Sequence, residues 1–125
     1  MRHANGEFIV KMTPVIDDAG LGRMTLEKTF VGPLAAVGKG EMLTAMGTDG
    51  GAAYVAAERV IGTLDGRTGS FMLVHRGVMT KDSRDLLVTV APGSGTGDLK
   101  GLAGTLAIDI RDGKHFYDLA YMLPE

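Results

Sequence analysis

The sequence has no cysteine, which takes disulfides and thiol chemistry out of consideration. Neither sign of charge dominates. The 13 basic and 15 acidic residues leave a net charge of −2, and no run of Lys or Arg marks a nucleic-acid-binding face. No apolar stretch approaches about 18 residues, so no segment reads as a membrane span. The start, Met1-Arg2-His3-Ala4-Asn5, lacks the apolar core of a signal peptide. The expectation is therefore a cytoplasmic protein with no nucleic-acid or membrane partner. No window of useful length keeps a helical apolar stripe bounded by caps. At 125 residues the chain is read as one domain, 1–125, long enough for one core.

What the sequence does have is glycine, 19 of them, about twice the usual share. They punctuate short alternating segments along the whole chain. Asp49-Gly50, Asp65-Gly66 and Asp112-Gly113 stand between such segments. Asp-Gly there signals a hairpin, because a type I′ turn needs positive φ at both central residues. The pattern predicts eight strands, near 6–13, 23–31, 36–47, 52–64, 69–80, 85–92, 102–111 and 114–123. The Ala52–Arg59 stretch has helical propensity, but its place between two Asp-Gly turns and the following Val-Ile-Gly argue for strand. Sequential antiparallel strands in one small domain predict an all-β, eight-stranded up-and-down barrel, whose closure removes exposed edges. Such a barrel is filled by side chains or holds one small ligand.

Register separates inside from outside. A two-residue turn at Asp112-Gly113 sets Ile110 opposite His115, Ile108 opposite Tyr117 and Leu106 opposite Leu119. These side chains and Tyr121 share one apolar face, by the period of two. A tight turn at Asp65-Gly66 pairs Ala56 with His75, and a four-residue turn pairs Glu58 with His75. Either way Glu58 and His75 share a face with Tyr54 and Phe71, within mutual reach. A two-residue turn at Asp49-Gly50 would set Glu41 opposite Glu58, making Glu41, Glu58 and His75 an inward row. In the 23–31 segment Lys28 shares a face with Met24, Leu26 and Phe30 and is expected inside. Gly38 and Gly40 are read as a possible bulge.

Buried charges must be paired or neutralised. Two carboxylates in one enclosure cannot both ionise cheaply, so one is expected to have a raised pKa. This set is read in two ways, as a general acid/base pair of Glu58 and His75 tuned by Glu41, or as a network that orients a ligand and fixes register. Metal is not expected, because the three histidines include His3 near one end and no H-E-x-x-H motif occurs. No cofactor is expected either. The stretch Pro92-Gly93-Ser94-Gly95-Thr96-Gly97-Asp98-Leu99-Lys100-Gly101 fits neither the Walker nor the dinucleotide pattern and reads as a strand connection. Tyr54, Phe71, Tyr117 and Tyr121 are expected to line the interior, and the eight methionines read as adaptable filler on both faces. Outward Val55, Ile61, Met72 and Val74 favour a homo-oligomer.

Three stretches together carry a family resemblance. They are Tyr54-Val-Ala-Ala-Glu58-Arg59-Val60 through Gly62-Thr-Leu-Asp-Gly66-Arg67-Thr-Gly69-Ser70-Phe71 to His75-Arg-Gly77; Pro92-Gly-Ser-Gly-Thr-Gly-Asp-Leu99 with Gly101-Leu102 and Gly104; and His115-Phe-Tyr117 with Tyr121. With Lys28-Thr29-Phe30-Val-Gly32 they resemble the bacterial domain-of-unknown-function family DUF3224. The resemblance implies a barrel like that of the allene oxide cyclases and brings no established activity. Positions matching its recurrent pattern include Lys28, Glu41, Glu58, Phe71, His75, His115 and Tyr117.

Two functions are expected. The first is binding of a small, mostly apolar molecule inside the barrel, with Glu58 and His75 at its polar end and Lys28, Tyr54, Phe71, His115, Tyr117 and Tyr121 around it. The second is an isomerase or cyclase in which Glu58 and His75 shuttle a proton on a hydrophobic substrate.

Overall fold

The computed structural model describes residues Met1–Pro124, so the expected domain's last residue, Glu125, lies outside the described residues. Eight strands run in order around a closed antiparallel barrel. They are β1 (Arg2–Asp18), β2 (Leu21–Phe30), β3 (Leu34–Met46), β4 (Ala52–Leu64), β5 (Arg67–Met79), β6 (Arg84–Val90), β7 (Ala103–Arg111) and β8 (Lys114–Met122). A short 3₁₀ turn, Gly97–Leu99, lies in the β6–β7 connection. No helix among the described residues is long and apolar enough to cross a membrane.

The Asp-Gly turns do what their composition dictates. Asp65 and Gly66 take φ of +48° and +83°, and Asp112 and Gly113 take +52° and +76°, as type I′ turns require. Their registers follow: Ala56 lies opposite His75 and Ile110 opposite His115. Ala19-Gly20 makes a turn of the same kind, with φ of +51° and +85°. That turn was not expected, and it lets β1 run past Pro14. The register of β1 on β2 shifts between Pro14 and Ile16, a bulge that absorbs a residue with no N–H to give to the ladder.

The Asp49-Gly50 turn corrects one expectation. Gly51 N–H donates to the Thr48 carbonyl across a type I′ turn, but Gly47 N–H also donates to the Gly51 carbonyl. One extra residue therefore sits on the β3 side. The register slips by one, so Glu58 faces Gly40, Met42 faces Ala56 and Glu41 faces Ala57. A one-residue slip sends every side chain of a strand to the other face. Glu41 consequently points outward, where it pairs with exposed Arg23 at 3.4 Å. The β2–β3 pairing runs without a break from Leu21 to Phe30, so Gly38 and Gly40 mark no bulge.

The barrel is filled at one end. Phe30, Leu34, Leu64, Phe71, Leu99, Leu102, Tyr117, Leu119 and Tyr121 are all buried there. Two tyrosines also close this end by hydrogen bonding, as buried hydroxyls must. Tyr117 Oη donates to the Val31 carbonyl at 2.7 Å and accepts from Leu34 N–H at 3.1 Å. Tyr121 Oη donates to Asp65 in the β4–β5 turn. The seam between β6 and β7 is thin, with Thr89 opposite Thr105 as its paired position. The chain after β6 compensates on the other side: Ser94 Oγ and Thr96 Oγ1 accept from the Met72 and Ser70 N–H groups of β5. On the outer wall Val55, Ile61, Met72 and Val74 are exposed.

Candidate functional site

The other end of the barrel is an open cup of about 300 Å³. Its wall carries Met12, Met24, Met42, Met46 and Met79, with Val10, Leu26, Leu86, Ile108 and Ile110. Phe8, Lys28, His75 and His115 form its deep part, and Tyr54, Thr44 and Arg84 add polar groups. Five of the eight methionines thus converge on one cavity instead of scattering over both faces. Met24 and Met42 sit directly opposite each other on β2 and β3, a pair visible only in the observed register. Met79 follows His75 and Gly77 along one face of β5, a period-two signal that extends the His75 face to the mouth.

Below the cup lies a buried ionic cluster. Lys28 Nζ donates to Glu58 Oε1 at 2.7 Å, and His75 Nε2 lies 2.5 Å from the same oxygen. Lys28, Glu58 and His75 are 6%, 2% and 3% exposed. Lys28 on β2 and Glu58 on β4 flank β3, and the β3 residues opposite them are glycine: Gly38 faces Lys28 and Gly40 faces Glu58. The two side chains meet across bare backbone. A Cβ at Gly38 would collide with Glu58 Oε2, and one at Gly40 with the Glu58 backbone. These glycines serve close approach, the second use of glycine in a strand.

Burial alone would push the Glu58 carboxyl up, but the His75 hydrogen bond and the charge and hydrogen bond of Lys28 outweigh it. Its pKa falls below the usual carboxylate value, the opposite of the raised carboxylate expected when Glu41 was placed beside it. An ionised Glu58 only accepts hydrogen bonds. His75 therefore carries its proton on Nε2 toward Glu58, and no described group bonds its Nδ1. Lys28 keeps two ammonium donors beyond the one Glu58 takes. Its Nζ also stands 5.3 Å from the centre of the Phe8 ring and 5.9 Å from that of Phe30, cation–π contacts that help hold a desolvated ammonium.

Lys28 and His75 line the cup, whereas Glu58 does not. Glu58 sits behind them, with Oε2 enclosed and unpartnered. His115 reaches the cup beside Phe8, with ring centres 5.3 Å apart. Tyr54 lies on the wall, where burial raises its phenol pKa and the Arg84 charge pulls it part of the way back. Its ring lies over Gly77 on β5 and fills the space a side chain there would need. Phe71 and Tyr121, expected around a ligand, instead pack in the filled end, because their strand positions lie nearer the β4–β5 turn and the end of β8 than the mouth; Tyr117, one inward step from His115, sends its hydroxyl into the filled end, to Val31 and Leu34. Among the described residues no group of three or more His, Cys, Asp or Glu side chains is placed to hold a metal ion.

The sequence model of DUF3224, described as a protein of unknown function, matches residues 4–121. The chain is also similar to a protein of Shewanella oneidensis MR-1 whose crystal structure is described as that of a protein with unknown function from the DUF3224 family. The two are 47% identical over 100% of this chain and 98% of the other, with a TM-score of 0.94. No protein of curated function matches.

Proposed function

The chain belongs to the DUF3224 family, and on that premise we propose that it binds a small, mostly apolar molecule in the cup of the barrel. The observation that carries this reading is the cavity of about 300 Å³ with methionines on its wall and Lys28 and His75 at its floor. A concave apolar wall with a few convergent polar groups is the common form of a small-molecule site. Methionine suits it, because the unbranched thioether adapts its rotamers to an irregular guest. At about 30 Å³ for a water-sized group, the cup accommodates roughly ten such groups. Tyr54, Thr44 and His115 supply further polar contacts along the wall.

Methyl-labelled methionine provides the test, in NMR titrations with 1-octanol, octanoate and octylamine. Binding in the cup predicts saturable shifts at Met24, Met42 and Met79, while outward Met72 stays still. Silence from every probe, or equal shifts at Met72, would remove the reading.

The 2.5 Å contact between His75 and Glu58 favours a second reading, an isomerase or cyclase. Glu58 would then act as a positioning residue that fixes the imidazole tautomer, leaving Nδ1 of His75 to take a proton from an apolar substrate. Under this reading Glu58→Gln loses turnover but keeps binding in the methionine titration. Under the binding reading the variant changes affinity only modestly.

A further inference from the structure

We infer that the molecule held in the cup carries one carboxylate, seated on Lys28 at the floor, with an apolar tail running up past the methionines. This rests on the binding reading above and adds the chemistry of the ligand's polar end. The chain as a whole is slightly acidic, at −2, yet no Asp or Glu among the described residues lines the cup, whereas Lys28 and Arg84 do. The wall therefore runs against the balance of the whole molecule. A recess lined by one sign of charge with apolar walls concentrates a counter-charge in it.

The floor is more telling than the mouth. Arg84 is exposed, and an exposed charge is well solvated and adds little. Lys28 is almost fully buried and shares its single counter-ion with His75. Glu58 gives Oε1 to both partners, stands behind them and presents no oxygen to the cup. What a ligand meets there is an ammonium with two N–H donors left over, under Phe8. A carboxylate accepts those donors in charge-assisted bonds, the strong kind. A cationic head would instead be pressed against Lys28, and an alcohol would take one weaker bond.

Calorimetric titration of the intact protein with octanoate, 1-octanol and octylamine tests this directly. Octanoate is expected to bind about tenfold tighter than 1-octanol, and octylamine weakest of the three. Lys28→Met, which keeps side-chain volume, should bring octanoate and 1-octanol within about threefold. The wild-type series stands on its own if that variant does not fold. Equal binding of octanoate and 1-octanol, or preference for octylamine, overturns the carboxylate assignment and leaves the cup as a binding site. Failure of all three probes overturns both readings at once.

Discussion

The two ends of this barrel are made of the same eight strands with the same inward period of two, yet one is solid and the other hollow. In the filled end the inward positions carry Phe30, Leu34, Leu64, Phe71, Leu119 and Tyr121, all buried. In the cup they carry Met12, Met24, Met42, Met46 and Met79 around a space of about 300 Å³. Branched and aromatic side chains with few rotamers interlock, whereas unbranched methionine fills only as much space as its neighbours leave. Between the two ends lies the Lys28–Glu58–His75 cluster. It closes off the core and gives the cup a deeply buried ammonium at its floor. The lesson is that an eight-stranded barrel is committed to neither packing nor binding; side-chain shape decides it strand end by strand end.

The largest break in that comparison comes at the partition. Glu58→Ala leaves Lys28 buried without its counter-ion, and guanidinium unfolding is expected to show a loss of about 3–5 kcal/mol. Next comes a matched pair of truncations. Leu119→Ala in the filled end is expected to cost about 2–5 kcal/mol. Met42→Ala on the cup wall should cost less than about 1.5 kcal/mol, since that side chain is only partly buried and already borders open space. Equal costs would mean the two ends are not energetically distinct. Gly38→Ala is expected to cost about 1–3 kcal/mol by forcing a methyl into the Glu58 carboxylate, although the position looks like an unremarkable strand residue.

The smallest effect is a matter of pH. The Glu58 carboxyl is held below its ordinary value of 4.5 by His75 and Lys28 against the opposing push of burial. A group depressed in the fold adds stability that is fully present above its unfolded-chain pKa. That stability is lost as the pH falls through the lower folded value. Unfolding curves recorded from pH 6 to 3 should therefore fall less steeply below about 4.5 for Glu58→Gln than for the wild type. Parallel curves would show that the partition carries no proton-linked stability.

Much of this was readable from local chemistry. The Asp112-Gly113 register follows from its turn residues and places His115 and Tyr117 on the inner face; at Asp65-Gly66 either a tight or a four-residue turn keeps Glu58 and His75 on one face, and Tyr54 and Phe71 on that face mark it as inner. Lys28 followed from the alternation of its own strand. The Asp49-Gly50 register did not follow, because the extra residue at Gly47 is set by a backbone hydrogen bond to Gly51, and neighbouring glycines do not announce which of them will make it. That single slip exchanged Glu41 for Gly40 and hid Met42 and Met46 from the inner face. The cup was illegible for a related reason. Its five methionines come from β1, β2, β3 and β5, and only the assembled barrel shows which ends of those strands lie side by side. The division into a filled and a hollow end likewise depends on how high each inward residue stands, which alternation does not specify.

The thin β6–β7 seam carries a consequence for how this chain can be rewired. The first and last strands are ordinary neighbours, with Arg2 opposite Tyr121, so the start of β1 and the end of β8 lie side by side. The ring has seven broad joints and one held by Thr89 and Thr105. A short peptide joining the end of β8 to the start of β1, with new ends opened in the 91–101 connection, would give a permuted chain whose first and last strands meet at the weakest joint. Pro92 and Gly93 in that connection are exposed, and termini opened at exposed loop positions are the kind that permutation tolerates. Fraying there would unlatch the barrel along its length and open the cup from the side.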